Sequence, residues 1–156
     1  MNVYPIEAGN FKLDGGAMFG VVPKSLWTKT NPADADNMIE MSSRCMLVEN
    51  SGKLILVDTG MGDKQSEKFF KYYKRWGSDN LVKSINSAGF SIDDVTDVLL
   101  THLHFDHCGG AVAWDSSKEA YDVLFKNANY WSNEKHWDWA TNPNPREKAS
   151  FLDENP

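Results

Sequence analysis

The chain has 156 residues, of which 41% are hydrophobic and 24% charged, the composition of a single globular domain rather than a disordered segment. Its net charge of -6 and pI near 5.1 argue against a nucleic-acid partner, because neutralising phosphates requires clustered Lys and Arg. The longest basic stretch, Lys68 to Arg75, is interleaved with aromatics and reads as the solvated face of an amphipathic helix.

The N-terminus lacks a basic region followed by an apolar core, and no apolar run approaches the roughly 18 residues of a membrane span. A cytoplasmic protein without a membrane partner is expected. Residues 3 to 22 carry apolar positions broken by Gly9 and Gly15-Gly16, which predicts two short strands joined by a turn. Pro23 to Met41 shows no clean period and reads as a long loop, with Phe19, Trp27 and Met38 either lining a pocket or packing the loop down. Ser43 to Glu49 and Leu54 to Val57 are β-rich runs around Asn50-Ser-Gly52, a hairpin signal.

Asp63 is a candidate N-cap for a helix through Trp76, with Phe69, Tyr72, Tyr73 and Trp76 at helical spacing. Asp79 opens a second candidate helix, with Leu81, Val82, Ile85 and Ala88 on one face and Gly89 as its stop. Val95 to Leu100 reads as a buried strand. Cys108 to Trp114 looks like the first turns of a helix, Val123 to Phe125 and Asn129 to Ser132 like short strands, and Asn133 to Ala140 like a helix. Cys45 and Cys108 are too few for a disulfide framework, and both read as small packed side chains.

The segment Thr101-His-Leu-His-Phe-Asp-His-Cys-Gly-Gly110 holds three of the four histidines and a carboxylate in six positions, directly after an apolar run. Neutral imidazole and carboxylate are the ligands that cations such as Zn2+ take, at roughly 2.0 to 2.2 Å. If the chain is still extended as it leaves the strand, His102 and His104 point to one side, because the strand period is two. Asp106 and His107 form a second pair that a following helix can turn back toward the same point, which allows a second metal. Asp106 at such a helix start also complements the positive end of its dipole.

His102-x-His104-x-Asp106-His107 after a strand resembles the hallmark of the metallo-β-lactamase superfamily, and Lys53-Leu-Ile-Leu-Val-Asp-Thr-Gly60 is similar to a second family mark. The resemblance implies that Asp58 lies beside the metal loop and orients a ligating imidazole through its other ring nitrogen. Leu13 to Trp27, Tyr130 to Trp137 and Asn142 to Arg146 look like the branch containing quorum-quenching lactonases and organophosphate-degrading hydrolases. The fold implied is an α/β αββα sandwich.

The family supplies a further His, a bridging Asp and a final His from strands beyond the metal loop. The only other histidine here, His136, reads as a residue of an aromatic-rich helix rather than a ligand. No strand pattern follows Ser132, so residues 1–156 read as one domain, the N-terminal half of the sandwich, expected to leave a sheet face or metal-facing cleft uncovered without its C-terminal half. By resemblance the complete protein is a hydrolase using metal-bound hydroxide to open a lactone or related ester. It would hold two divalent metals, Zn2+ first, with Fe, Mn or Co also suited, on His102, His104, Asp106 and His107. Asp106 would also help to orient or deprotonate the nucleophile. Phosphotriester hydrolysis and a non-catalytic fragment needing a separate C-terminal half are the alternatives, and homo-oligomerisation is left open.

Overall fold

A mixed sheet positions the site. In the computed structural model, which describes residues 1–155, two long strands, β1 (Asn2–Asp14) and β2 (Met38–Asn50), pair antiparallel along their length. β2 turns through Ser51 and Gly52 into β3 (Lys53–Val57). Both turn residues have positive φ, 49° and 79°, the conformation that a two-residue hairpin demands and that glycine adopts without strain. β4 (Asp97–Leu99) then lies parallel to β3, and β7 (Asn129–Trp131) parallel to β4, giving the order β1-β2-β3-β4-β7. β5 (Val112–Trp114) and β6 (Tyr121–Val123) form a separate antiparallel pair.

Several elements differ from the expectation. The N-terminal stretch is one strand, not two, because the register shift between Glu7 and Asn10 absorbs Gly9 (φ 130°) as an irregularity while the ladder continues on both sides. The stretch expected to be a loop contains a helical turn, α2 (Lys24–Trp27), preceded by α1 (Gly15–Phe19), and β2 already begins at Met38. Trp27 is buried and stacks on Phe19 at 4.9 Å. Its ring occupies the space a Cβ on Gly15 would need, at 2.4 Å, so it packs the segment down instead of lining a pocket.

α3 (Glu67–Tyr73) is capped by Ser66, whose hydroxyl accepts from the Phe69 N–H, and not by Asp63, which pairs with Arg75 at 2.5 Å. The helix stops at Lys74 in the left-handed conformation, so Trp76 leaves the helix and bridges to Asn10. α4 (Leu81–Ser87) is likewise capped one residue later than expected, by Asn80, whose Oδ1 accepts from Lys83 N–H at 2.9 Å. Leu81 and Ile85 reach the main core with Leu47, Leu56, Val95, Val98 and Phe125.

The helix expected over Cys108 to Trp114 is instead a single turn, α5 (Phe105–Cys108), a 3-10 turn at Gly109–Ala111, and then strand β5. The two glycines explain the break. A Cβ on Gly109 or Gly110 would sit 2.3 Å or 2.2 Å from the carbonyl oxygens of Met61 and Thr59, so this chain lies backbone against backbone. Val112 and Trp114 then suit strand pairing. The strand expected at Val123 to Phe125 lies earlier, at Tyr121–Val123, while Phe125 plugs the core. α6 (Glu134–Thr141) follows β7, with Asn133 as its cap.

Leu99, Tyr121, Val123, Trp114, Trp131 and Trp137 are each 40% to 52% exposed. Val123, Trp131 and Trp137 border an apolar cavity of about 510 Å³ with Leu100, Leu103 and Val112. Among the described residues no helix is long and apolar enough to cross a membrane.

The position of the α4 cap can be measured. Asn80→Ala should lower stability by about 1 kcal/mol, whereas Asp79→Ala, which removes only an exposed 3.3 Å contact from Asn10, should change the urea midpoint far less.

Candidate metal centre

β3 ends one residue before Asp58, and that residue takes φ 59°, the left-handed region that a non-glycine residue adopts only when held there. What holds it is on both sides. The Asp58 N–H donates to the Leu99 carbonyl at 2.9 Å, and the next amide, Thr59, donates to the His107 carbonyl at 2.7 Å. The Asp58 carboxylate accepts from the Thr101 N–H at 2.8 Å and from the Thr101 hydroxyl, and it meets His107 Nδ1 at 2.9 Å. One side chain thus ties the ends of two neighbouring parallel strands to the imidazole of a third segment.

Burial pushes the Asp58 carboxyl up, but the hydrogen bonds from His107 and Thr101 outweigh it and hold the group below the usual carboxylate range. Asp58 is therefore an acceptor, and the proton it shares with His107 belongs on Nδ1. In the neutral ring Nε2 of His107 then carries the lone pair, 3.7 Å from an Asp106 oxygen. Burial opposes protonation of His107, yet the Asp58 hydrogen bond and the nearby Asp106 raise its pKa above the ordinary histidine value.

His102 and His104 stand beside it. Their ring centroids are 4.7 Å apart, and the rings of His102 and His107 are 3.9 Å apart. Burial first, and for His102 the neighbouring imidazoles next, push the pKa of both His102 and His104 down, which favours the neutral ring that can ligate. The two rings meet edge to face, although β4 ends at Leu99 and His104 is already the residue before α5, with φ -67° and ψ 145°. Asp106 lies in the first turn of α5.

His102, His104, Asp106 and His107 are thus neighbours, with Asp58 bonded to His107. Their donor atoms share a neighbourhood but not a coordination sphere: among the described residues no group of three or more His, Cys, Asp or Glu side chains is set to hold a metal ion. The donor chemistry nevertheless suits a borderline divalent cation, being neutral imidazoles with carboxylates close by.

Cys108, adjacent in sequence, does not join this set. It is fully buried, its thiol donates to the Leu103 carbonyl at 3.3 Å, and burial pushes its pKa up to about 12, as it does for Cys45. His136 sits on α6 as expected, but the fold carries its ring to 6.1 Å from His102. It stacks on Trp139 at 5.9 Å, and Trp139 and Phe151 flank His104 at 6.5 Å and 4.9 Å. Sequence reading did not foresee this aromatic wall. The signal was the i, i+3 spacing of His136 and Trp139 on one helix face, which becomes informative only once α6 is placed.

The profile of the Metallo-beta-lactamase superfamily matches residues 39–155. The chain belongs to the metallo-β-lactamase superfamily. A probable metal-dependent hydrolase from Staphylococcus aureus superposes with a TM-score of 0.89 at 31% identity, covering 99% of this chain and 54% of that one. A structure of a dizinc quorum-quenching lactonase in complex with an N-acyl-homoserine product has a TM-score of 0.66 at 28% identity, covering 93% of this chain and 46% of that one. An N-acyl homoserine lactonase of Bacillus cereus is 28% identical over 104 residues, 60% of this chain and 40% of that protein. The chain therefore spans about half the length of these metallo-β-lactamase relatives. These likenesses bear out the mixed α/β fold of the family.

In this family member the Asp58 contact can be tested directly. Asp58→Ala in the full-length protein should weaken divalent-metal affinity on the order of 10- to 100-fold by releasing His107, read by competition with a chromophoric chelator.

Proposed function

We propose that the full-length protein is a metal-dependent hydrolase that opens the ring of a lactone of the N-acyl homoserine class. The observation that carries this reading is the grouping of His102, His104, Asp106 and His107 as close neighbours, with Asp58 bonded to His107 Nδ1. Similarity to lactonases, one of them dizinc and described with a homoserine product, supports the substrate class and a dinuclear zinc centre.

His102 and His104 would hold one cation and Asp106 with His107 Nε2 a second. Cations held there supply a water of lowered pKa and neutralise charge developing on the carbonyl oxygen. Asp106 accepts the proton released when water attacks the lactone carbonyl carbon, and returns it to the ring oxygen as the C–O bond breaks. One water is consumed and an acyl homoserine acid is formed. No Ser or Cys nucleophile is needed. Asp58 keeps His107 in the tautomer whose Nε2 can ligate, and the Thr101 contacts fix that carboxylate in turn. Trp139 and Phe151 pack beside His104 and give that imidazole an apolar flank.

The test is acid release from N-hexanoyl homoserine lactone by the full-length protein, followed with a pH indicator. Treatment with a chelator should abolish the rate and added Zn2+ should restore it. His102→Ala and Asp106→Ala should each remove most of the activity and lower the bound metal. A His102→Ala protein with full metal content and full rate would overturn the reading.

A further inference from the structure

One buried cation takes no part in the chemistry above. Lys64 lies in the loop between β3 and α3, yet only 5% of its surface is exposed. Its ammonium donates to the carbonyl of Gly109 at 2.5 Å, and its own backbone carbonyl accepts from the indole N–H of Trp114 at 2.9 Å. The neighbouring residue Gln65 bonds Glu154. Burial pulls the Lys64 pKa down, with Glu154 and Cys108 offsetting it only in part. Placing an ammonium there is costly, and an apolar side chain of similar length would fill the same volume without that cost. The charge is therefore expected to do something that packing alone does not require.

Its target explains what. α5 is one turn long, so the carbonyls at its C-terminal end have no partner within the helix. The His107 carbonyl is satisfied by both the amide and the hydroxyl of Thr59, at 2.7 Å and 3.0 Å. The Gly109 carbonyl receives Lys64, and a cation is the favoured partner at that end of a helix. The backbone around these contacts has no slack: a Cβ on Gly62 would lie 2.7 Å from the same Gly109 oxygen. The carbonyls on either side of Cys108 are thereby pinned to the loop that follows β3, and Asp106 and His107 ride on the pinned turn.

We infer that Lys64 is a positioning residue of the metal centre: its charge-assisted hydrogen bond to Gly109 sets the orientation of α5, and so of Asp106 and His107. This inference rests on the metal-centre reading above and adds a residue that touches none of the ligands.

The experiment uses the full-length protein with Zn2+ affinity measured by chelator competition, the visible absorption of the Co2+-loaded form, and urea midpoints. The variants are Lys64→Met, which removes charge and donor, Lys64→Gln, which keeps a neutral donor, and Ile85→Ala, a core truncation on α4. Lys64→Met should weaken Zn2+ binding on the order of 10- to 100-fold and alter the Co2+ spectrum. Lys64→Gln should recover part of both, and Ile85→Ala should lower the midpoint while leaving both unchanged. Unchanged affinity and spectrum in Lys64→Met would overturn the role, as would a loss that merely follows the midpoint in the way Ile85→Ala shows. Failure of both Lys64 variants to fold would make Lys64 a folding staple only and would also overturn it. A parent protein that binds no Zn2+ would defeat the metal-centre reading itself, and with it this role.

Discussion

The contacts of the Asp58 carboxylate organise everything around the candidate centre. It sits where β3 ends, accepts from the backbone of Thr101 just beyond β4, and holds the Nδ1 of His107 on α5. Reaching those partners requires a left-handed backbone at a non-glycine residue. Such strain persists only where the surroundings over-determine it, and here the Leu99 and His107 carbonyls capture the amides of Asp58 and Thr59. A single carboxylate thereby converts the end of a parallel strand pair into a platform for imidazoles.

Around that platform, polar contacts replace the regular structure that is absent. The loop that carries the histidines has only a four-residue helix and a 3-10 turn of its own, too short to be stable on propensity. It is held by backbone approach at Gly109 and Gly110, by Thr59, and by the buried Lys64. The hydrophobic core lies beneath and contributes through Leu103, just before α5, and Cys108, its last residue, both buried. Core packing anchors the loop's depth, while the polar contacts set its direction, because hydrogen bonds are directional and apolar burial is not.

The electrostatics of the histidine cluster follow from the same arrangement. His102 and His104 are partly buried without a carboxylate bonded to either ring, so desolvation lowers their pKa, whereas His107 is bonded to Asp58 and moves the other way. Rings less than 5 Å apart would repel one another if charged. The lowered pKa of His102 and His104 favours neutral rings, the form in which imidazole can ligate a divalent cation. A charged pair could not.

Much of this was legible in the sequence. β-rich runs marked β2 and β3, Asn50-Ser-Gly52 marked their turn, and His102 to His107 stood out because four ligand-type side chains in six positions have a chemical meaning independent of fold. The sequence also marked the family, through that motif together with Asp58-Thr-Gly. Other features were decided by tertiary structure alone. The caps fell on Ser66 and Asn80, not Asp63 and Asp79, because neighbouring polar residues offer equivalent caps and packing of Phe70, Leu81 and Ile85 chooses the phase. The turn after Cys108 became a strand because Gly109 and Gly110 had to lie against Met61 and Thr59, contacts some fifty residues distant in the chain. The local spacing of His136 could not say what α6 would face, and Lys64 carried no local signal, since one acquires its neighbours from the placement of α6 and the other from a carbonyl 45 residues away. Short-range pattern determines which residues can ligate or pair; which of them meet is decided by long-range packing, which no local period encodes.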